Sequence, residues 1–141
     1  MKTDAALLLM TLTGVWGCAH HPPAPAHHEY ATGYRGDWTK LGERSVDGLH
    51  DRDVIWVGAR QGPYRRIMIV VENSPVEMFD VIVKFGDGTE FSPATRHVFG
   101  PNTRSHVIDL PGRERIIRSV EFRYGNLPGG GRAETELWAQ R

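Results

Sequence analysis

The amino-acid sequence predicts an all-β domain, either an antiparallel β-sandwich or a small barrel. Much of the segment 38–141 alternates apolar and polar side chains with the period of two that is typical of half-buried strands. Glycines and prolines, of which the chain holds 16 and 9, separate these runs. We find no helical periodicity long enough to connect two parallel strands. Seven or eight short strands without crossover helices therefore favour antiparallel sheets.

The first three predicted strands are 38–46, 53–57 and 65–72. The second alternates through Ile55 and Val57. The third contains the apolar run 67–71 without alternation, which is typical of a central strand that is covered on both faces.

The clearest predicted strand is 77–85, and it ends at a turn. Its core face is predicted to carry four apolar side chains, namely Phe79, Val81, Val83 and Phe85. The opposite face then carries Asp80, Ile82 and Lys84. The sequence Gly86-Asp87-Gly88 accepts the positive φ of a tight hairpin, so 89–91 is predicted to return as the partner strand.

The remaining predicted strands are 105–110, 115–124 and 132–139. A turn at Pro111-Gly112 joins the first two, and the glycine-rich segment 126–131 is predicted to be a flexible connection to the last. Within 115–124 the inward side chains are predicted to be Val120, Phe122 and Tyr124. The outward side chains are predicted to be Ser119, Glu121 and Arg123.

The first eighteen residues combine a short apolar region with a cysteine. Lys2 precedes the apolar region at 5–15, and Val15 and Gly17 lead into Cys18, which is the only cysteine of the chain. This pattern resembles the signal of a bacterial lipoprotein. The resemblance implies that residues 1–17 are removed and that Cys18 is lipidated. Ala19 then implies an outer-membrane anchor that faces the periplasm. An ordinary signal peptide, which would leave a soluble secreted or periplasmic protein, is the alternative.

Residues 18–37 are predicted to be a linker between the lipidated cysteine and the domain at 38–141. Prolines favour the extended polyproline conformation, which acts as a spacer. The segment also carries four histidines: His20, His21, His27 and His28. Since no further ligands are placed to complete a site, we predict no metal and no cofactor.

Charge and motifs limit the classes of function. The 17 basic and 17 acidic residues balance, which argues against a nucleic-acid partner. No nucleophile motif or zinc motif is present, so no catalytic residue is predicted. The best available acid–base or metal cluster is His97 with His106 and Asp109, and single histidines on strands are more often surface residues. Arg118 is in register with the inward Val120 and Phe122. It is predicted either to pair with a buried carboxylate such as Asp109 or to lie at an end of the sheet where the inward side is already solvated, and a structural ion pair is favoured over an anion-binding site.

Aromatic residues offer a possible ligand-binding surface. Four of them would form a platform for sugar stacking if several lay on one exposed face of a sheet: Trp38, Trp56, Tyr64 and Trp138. The alternative is that these large side chains fill the core.

The domain carries three motifs of regularly spaced residues. They are Trp38-x-x-Leu41-Gly42, Asp53-x-Ile55-x-Val57 and the series Ile108-Asp109-Leu110-x-Gly112-x-x-Arg115-x-Ile117-x-x-Val120-x-Phe122-x-Tyr124. Together they resemble small secreted bacterial proteins of a domain-of-unknown-function type. The resemblance implies a β-sandwich in the cell envelope and supplies no catalytic residue.

We therefore expect a non-catalytic, envelope-anchored lipoprotein that acts as a binding or structural module toward an envelope protein or a glycan. A carbohydrate-binding module with exposed aromatic residues is the alternative. A weak hydrolase or metal site at His97 and His106 is a third possibility.

Overall fold

The computed structural model describes residues 37–141. The predicted signal, Cys18 as the predicted site of lipidation, and the four linker histidines lie outside the described residues. No helix of the described part is long and apolar enough to cross a membrane.

The described residues form eleven strands and one short 3-10 helix, Ala59–Gln61. The longer strands are β1 (Trp38–Ser45), β2 (Asp51–Trp56), β4 (Arg66–Glu72), β5 (Val76–Phe85), β10 (Arg115–Asn126) and β11 (Glu134–Gln140). The shorter ones are β3 (Pro63–Tyr64), β6 (Glu90–Phe91), β7 (His97–Phe99), β8 (Thr103–Arg104) and β9 (Ile108–Asp109). All eight predicted strands are present, although 105–110 is shortened to β9, and β3, β7 and β8 are additional.

The strands form two antiparallel sheets, which confirms the predicted sandwich; they do not close into a barrel. The first sheet has the order β1-β11-β4-β8, and β9 also pairs with β4. The second sheet has the order β2-β10-β5-β6, with β3 paired to β10 and β7 paired to β5.

One hydrophobic core lies between the sheets. The first sheet contributes Ile67, Ile69, Val71, Leu137 and Ala139, and the second contributes Val81, Val83, Phe85, Val120 and Phe122. Strand β4 is central in its sheet, as its apolar sequence predicts, and Met68 on its outer face is buried as well. Burial of each large apolar side chain stabilises the domain by about 1.5–3 kcal/mol.

A β-bulge corrects the predicted core face of β5. Met78 and Asp80 pair with consecutive residues of β10, so Phe79 is an extra residue. The bulge reverses the alternation, and Val76 and Met78 are buried whereas Phe79 is only half-buried. The prediction that Phe79 belongs to the core is therefore wrong. Its ring stacks instead on His50, with 5.3 Å between the ring centroids.

A second bulge corrects the position of Arg118. Ile117 and Ser119 of β10 pair with the consecutive residues Phe85 and Lys84 of β5, so Arg118 is an extra residue of β10. Ile117 takes the buried position and Arg118 is exposed. The predicted ion pair with Asp109 is also wrong, since the carboxylate of Asp109 accepts a hydrogen bond from Arg66 Nε at 2.8 Å.

Candidate binding face

The outer surface of the second sheet presents an open arrangement of aromatic, aliphatic and charged side chains. Register places nine residues of β2, β10 and β5 on this side: Arg52, Val54, Trp56, Ser119, Glu121, Arg123, Asp80, Ile82 and Lys84. We call this surface the Trp56 face. Trp56 lies on the edge strand β2 and is 67% exposed, more than any other large hydrophobic side chain of residues 37–141.

A buried carboxylate lies near the middle of the Trp56 face. Glu121 is only 3% exposed. Arg52 donates to it from both Nε and Nη2, each at 2.8 Å from a different carboxylate oxygen, and Arg123 Nε donates at 3.1 Å. Burial of a carboxylate is tolerated when it is paired in this way.

These contacts shift the ionisation of both partners. The hydrogen bond from Arg52 lowers the pKa of Glu121, against the opposing effect of its desolvation, and Arg123 lowers it further. The same hydrogen bond raises the pKa of Arg52. Glu121 is therefore a carboxylate at neutral pH, and it fixes the orientation of two guanidinium groups.

Two cations thus share one buried anion. The side chains of Arg52 and Arg123 remain 65% and 50% exposed. Arg123 donates to Glu121 through Nε alone, so its two Nη atoms make no hydrogen bond to that carboxylate. The cluster carries a net positive charge and can donate hydrogen bonds to an anion.

The structure does not bring the four predicted aromatic residues onto one platform. Tyr64 is 1% exposed and belongs to the core, where burial raises its pKa. Trp38 and Trp138 are half-buried on the outer side of the first sheet, on the opposite surface of the sandwich from Trp56. Trp56 is thus the one member of the set that is widely exposed.

Several polar side chains on the outer side of the first sheet bind one another. Trp138 Nε1 donates to Glu136 at 2.8 Å, and Lys40 forms ion pairs with both Glu136 and Glu43. On the same outer side, Met68 of β4 pairs with Trp138 and is buried. Lys40 and Trp138 are therefore already engaged, whereas Arg123 on the Trp56 face keeps both Nη atoms out of its contact with Glu121.

The predicted histidine cluster does not form. His97 lies in β7 at the edge of the second sheet, and its ring contacts Phe99. His106 precedes β9, which belongs to the first sheet. The two histidines are therefore not on neighbouring strands, and residues 37–141 contain no group of three or more His, Cys, Asp or Glu that is able to hold a metal ion.

A shallow groove of about 440 Å³ lies at another part of the surface. It is lined by Arg65, Arg66, Asp109, Leu110, Gly112 and Arg113. Arg66 is paired with Asp109 at 2.8 Å, and Arg65 with Glu114 at 3.3 Å. Carboxylates thus pair with two of the three arginines that line the groove, and no aromatic side chain lines it, so the groove is a weaker candidate for binding than the Trp56 face.

The sequence singled out Trp56 but missed its polar neighbours. It predicted the outward direction of Glu121 correctly, yet did not predict that Glu121 is buried there. The Arg52–Glu121 pair joins residues 69 positions apart, and it depends on the register between β2 and β10. The only local signal is a carboxylate between the inward Val120 and Phe122 of a strong strand.

Comparisons with known proteins identify the family. The comparison with curated proteins and that with solved structures each gave no match. A family model described as a domain of unknown function, DUF2541, matches residues 6–139. This range includes the whole sandwich except its last two residues, together with Cys18. The chain therefore belongs to the DUF2541 family.

Proposed function

We propose that this chain is a non-catalytic binding module of the bacterial cell envelope, anchored through a lipid on Cys18, and that the Trp56 face is its contact surface. The observation that carries the binding role is the 67% exposure of Trp56 on a paired strand, on the same sheet face as the net-positive cluster of Arg52, Arg123 and Glu121. Large aromatic side chains and arginines are the residues that most often dominate binding surfaces.

The proposed anchor rests on the sequence of the first eighteen residues. A short apolar region ends at the only cysteine of the chain, and the family match begins at residue 6 and so includes that cysteine. Diacylglycerol on the sulfur and a further acyl chain would supply the two hydrophobic attachments that stable anchoring requires.

Labelling with radioactive palmitate tests the anchor. We expect the wild-type chain, expressed in a bacterial host, to take up label and to partition into the detergent phase of Triton X-114. Cys18→Ser should lose the label and move to the aqueous phase. A wild-type chain that takes up no label would refute the lipid anchor.

Retention by the envelope tests the binding role separately. In the Cys18→Ser background no lipid holds the protein, so we expect its co-sedimentation with isolated envelopes to depend on the Trp56 face. Adding Trp56→Ala should release it into the soluble fraction, whereas Trp56→Phe, which keeps an aromatic ring, should retain part of the binding. Equal sedimentation of the Cys18→Ser chain with and without Trp56→Ala would contradict this role.

A further inference from the structure

We propose that the ligand of the Trp56 face is an acidic saccharide, a sugar chain that carries carboxylate groups. This inference rests on the proposed function and specifies the chemical class of its ligand. Its two parts are an aromatic contact for a sugar ring at Trp56 and a carboxylate contact at Arg52 and Arg123.

The aromatic contact follows from the position of Trp56. A sugar ring has an apolar side of C–H groups, and it packs on an indole that is exposed to water but held in place by the backbone. Trp56 is the last residue of β2 and pairs with Ser119, which is buried beside it. The indole therefore projects from a rigid sheet and not from a mobile loop.

The carboxylate contact follows from the charge of the arginine cluster. Arg52 and Arg123 share the single carboxylate of Glu121, so these three side chains together carry one excess positive charge. Asp80 lies opposite Arg123 in β5, and its carboxylate accepts a hydrogen bond from Ser92 Oγ at 2.7 Å. Planar guanidinium groups recognise carboxylates through two parallel hydrogen bonds, and the two Nη atoms of Arg123, which make no hydrogen bond to Glu121, can donate them. Because Glu121 already orients both arginines, little side-chain freedom remains to be lost when an anion binds.

The spacing of the two parts favours a chain of sugars. Arg52 and Trp56 lie four residues apart on one strand, which places them about 13 Å from each other at ~3.3 Å per residue. A single sugar ring is shorter than this separation. A flat three-stranded surface suits an extended oligosaccharide with one ring on Trp56 and a carboxylate at the arginines.

An acidic peptide would complement the same charge, but its usual mode of binding is less well suited to this sheet. Extended peptides commonly bind by adding a strand to a free sheet edge, and β2 is such an edge. Arg44 Nη2, however, donates to the carbonyl oxygen of Val54 at 2.8 Å and so occupies an acceptor in the middle of that edge. The observations therefore favour recognition through side chains on the face.

Isothermal titration calorimetry of the full chain, dissolved in detergent, tests the inference. The probes are oligogalacturonate and a hyaluronan oligosaccharide, the methyl ester of oligogalacturonate as the neutral counterpart, and polyglutamate as the acidic peptide. We expect the two acidic saccharides to bind, the ester to bind at least about tenfold more weakly, and binding to weaken with added salt.

The variants separate the two contacts. Trp56→Ala and Arg123→Gln should each lower affinity for the acidic saccharides by about tenfold. Arg123→Gln leaves the contact between Arg52 and Glu121 intact. Arg66→Gln is the matched control, since its side chain is 53% exposed on the other sheet, close to the 50% of Arg123. It should bind like the wild type.

Three results would overturn the inference: no binding of either acidic saccharide, equally tight binding of polyglutamate, or an equal loss of affinity in Arg66→Gln. Its failure is distinguishable from failure of the proposed function. If the saccharides do not bind but envelope retention still depends on Trp56, the binding role stands and only the ligand class is wrong.

Discussion

At the scale of single residues, the Trp56 face depends on Glu121. The carboxylate is buried on the outer side of a sheet and is held by Arg52 and Arg123. Its removal would leave two exposed guanidinium groups that repel each other and that no longer have a common acceptor. Glu121 is thus a positioning residue for the two arginines.

The lowered pKa of Glu121 predicts an acid-dependent loss of stability. Below its ordinary value of 4.5 the unfolded state binds more protons than the folded state, so the free energy of unfolding falls as pH decreases through the folded pKa. In Glu121→Gln this contribution is absent, and the free energy of unfolding should depend less steeply on pH below that value. Urea unfolding at a series of pH values measures this dependence. If the free energy of unfolding changed equally steeply with pH in the wild type and in Glu121→Gln, the prediction would be contradicted.

The close packing around Gly125 predicts that adding a single methyl group there lowers the free energy of unfolding. A Cβ atom at this position would lie 1.9 Å from the carbonyl oxygen of Leu49. Leu49 lies in the connection between β1 and β2, which is held against β10 because Asn126 N donates a hydrogen bond to Gly48 O at 2.8 Å. The clash is with backbone and is not relieved by a side-chain rotation. We expect Gly125→Ala to destabilise the domain by about 1–3 kcal/mol in urea unfolding.

Gly100→Ala is the matched control for this prediction. Its Cβ would meet only the Thr103 side chain at 3.5 Å, which is an ordinary van der Waals contact. We expect a change within about 0.5 kcal/mol. Equal losses in both variants would show that the close approach of Leu49 to Gly125 is not what requires glycine.

At the scale of elements, β11 carries a polar group that the fold leaves unsatisfied. The hydroxyl of Thr135 is buried and has no hydrogen-bond partner, and Val71 is its neighbour in β4. Valine has nearly the same shape without the hydroxyl. Thr135→Val should therefore raise the free energy of unfolding by about 1 kcal/mol.

Thr95→Val provides the comparison. Thr95 is also buried, but its hydroxyl donates to the carbonyl oxygen of Pro93 at 3.3 Å. Its replacement should destabilise the domain by about 1 kcal/mol. The account of Thr135 is wrong if thermal unfolding shows that the two valine variants shift stability in the same direction.

The strands could be predicted because their evidence is local, whereas the bulges could not. Alternation of Val81, Val83 and Phe85 with polar residues marks β5 without any knowledge of its partners. The bulge at Phe79 arises from pairing with β10, some forty residues away, so the alternation alone assigns Phe79 to the wrong face. The same limit explains the error at Arg118.

At the scale of the whole molecule, the sandwich separates the candidate site residues that the sequence grouped together. Trp38 and Trp138 lie on one outer surface, Trp56 lies on the other, and Tyr64 lies in the core. Alternation, turns and strand count are sufficient to predict an antiparallel all-β domain, with a sandwich and a small barrel as the alternatives. The distribution of side chains between their outer surfaces requires the strand order and register, which long-range pairing determines.

The overall architecture also agrees with a role in binding. Both sheets are antiparallel, and an antiparallel sheet can keep one side in the core and the other in water. The second sheet presents Trp56 and two oriented arginines on its solvent-exposed side. We propose that the lipid on Cys18 holds this surface within the envelope.

The central claim is that the Trp56 face contacts an envelope component, and photocrosslinking in living cells tests it most directly. A photoreactive phenylalanine analogue is placed at position 56 and, as the control, at position 66 on the other sheet, where the native side chain is also exposed. We predict adducts of increased mass from position 56 and none from position 66. Absence of adducts at position 56, or equal adducts at both positions, would contradict the claim.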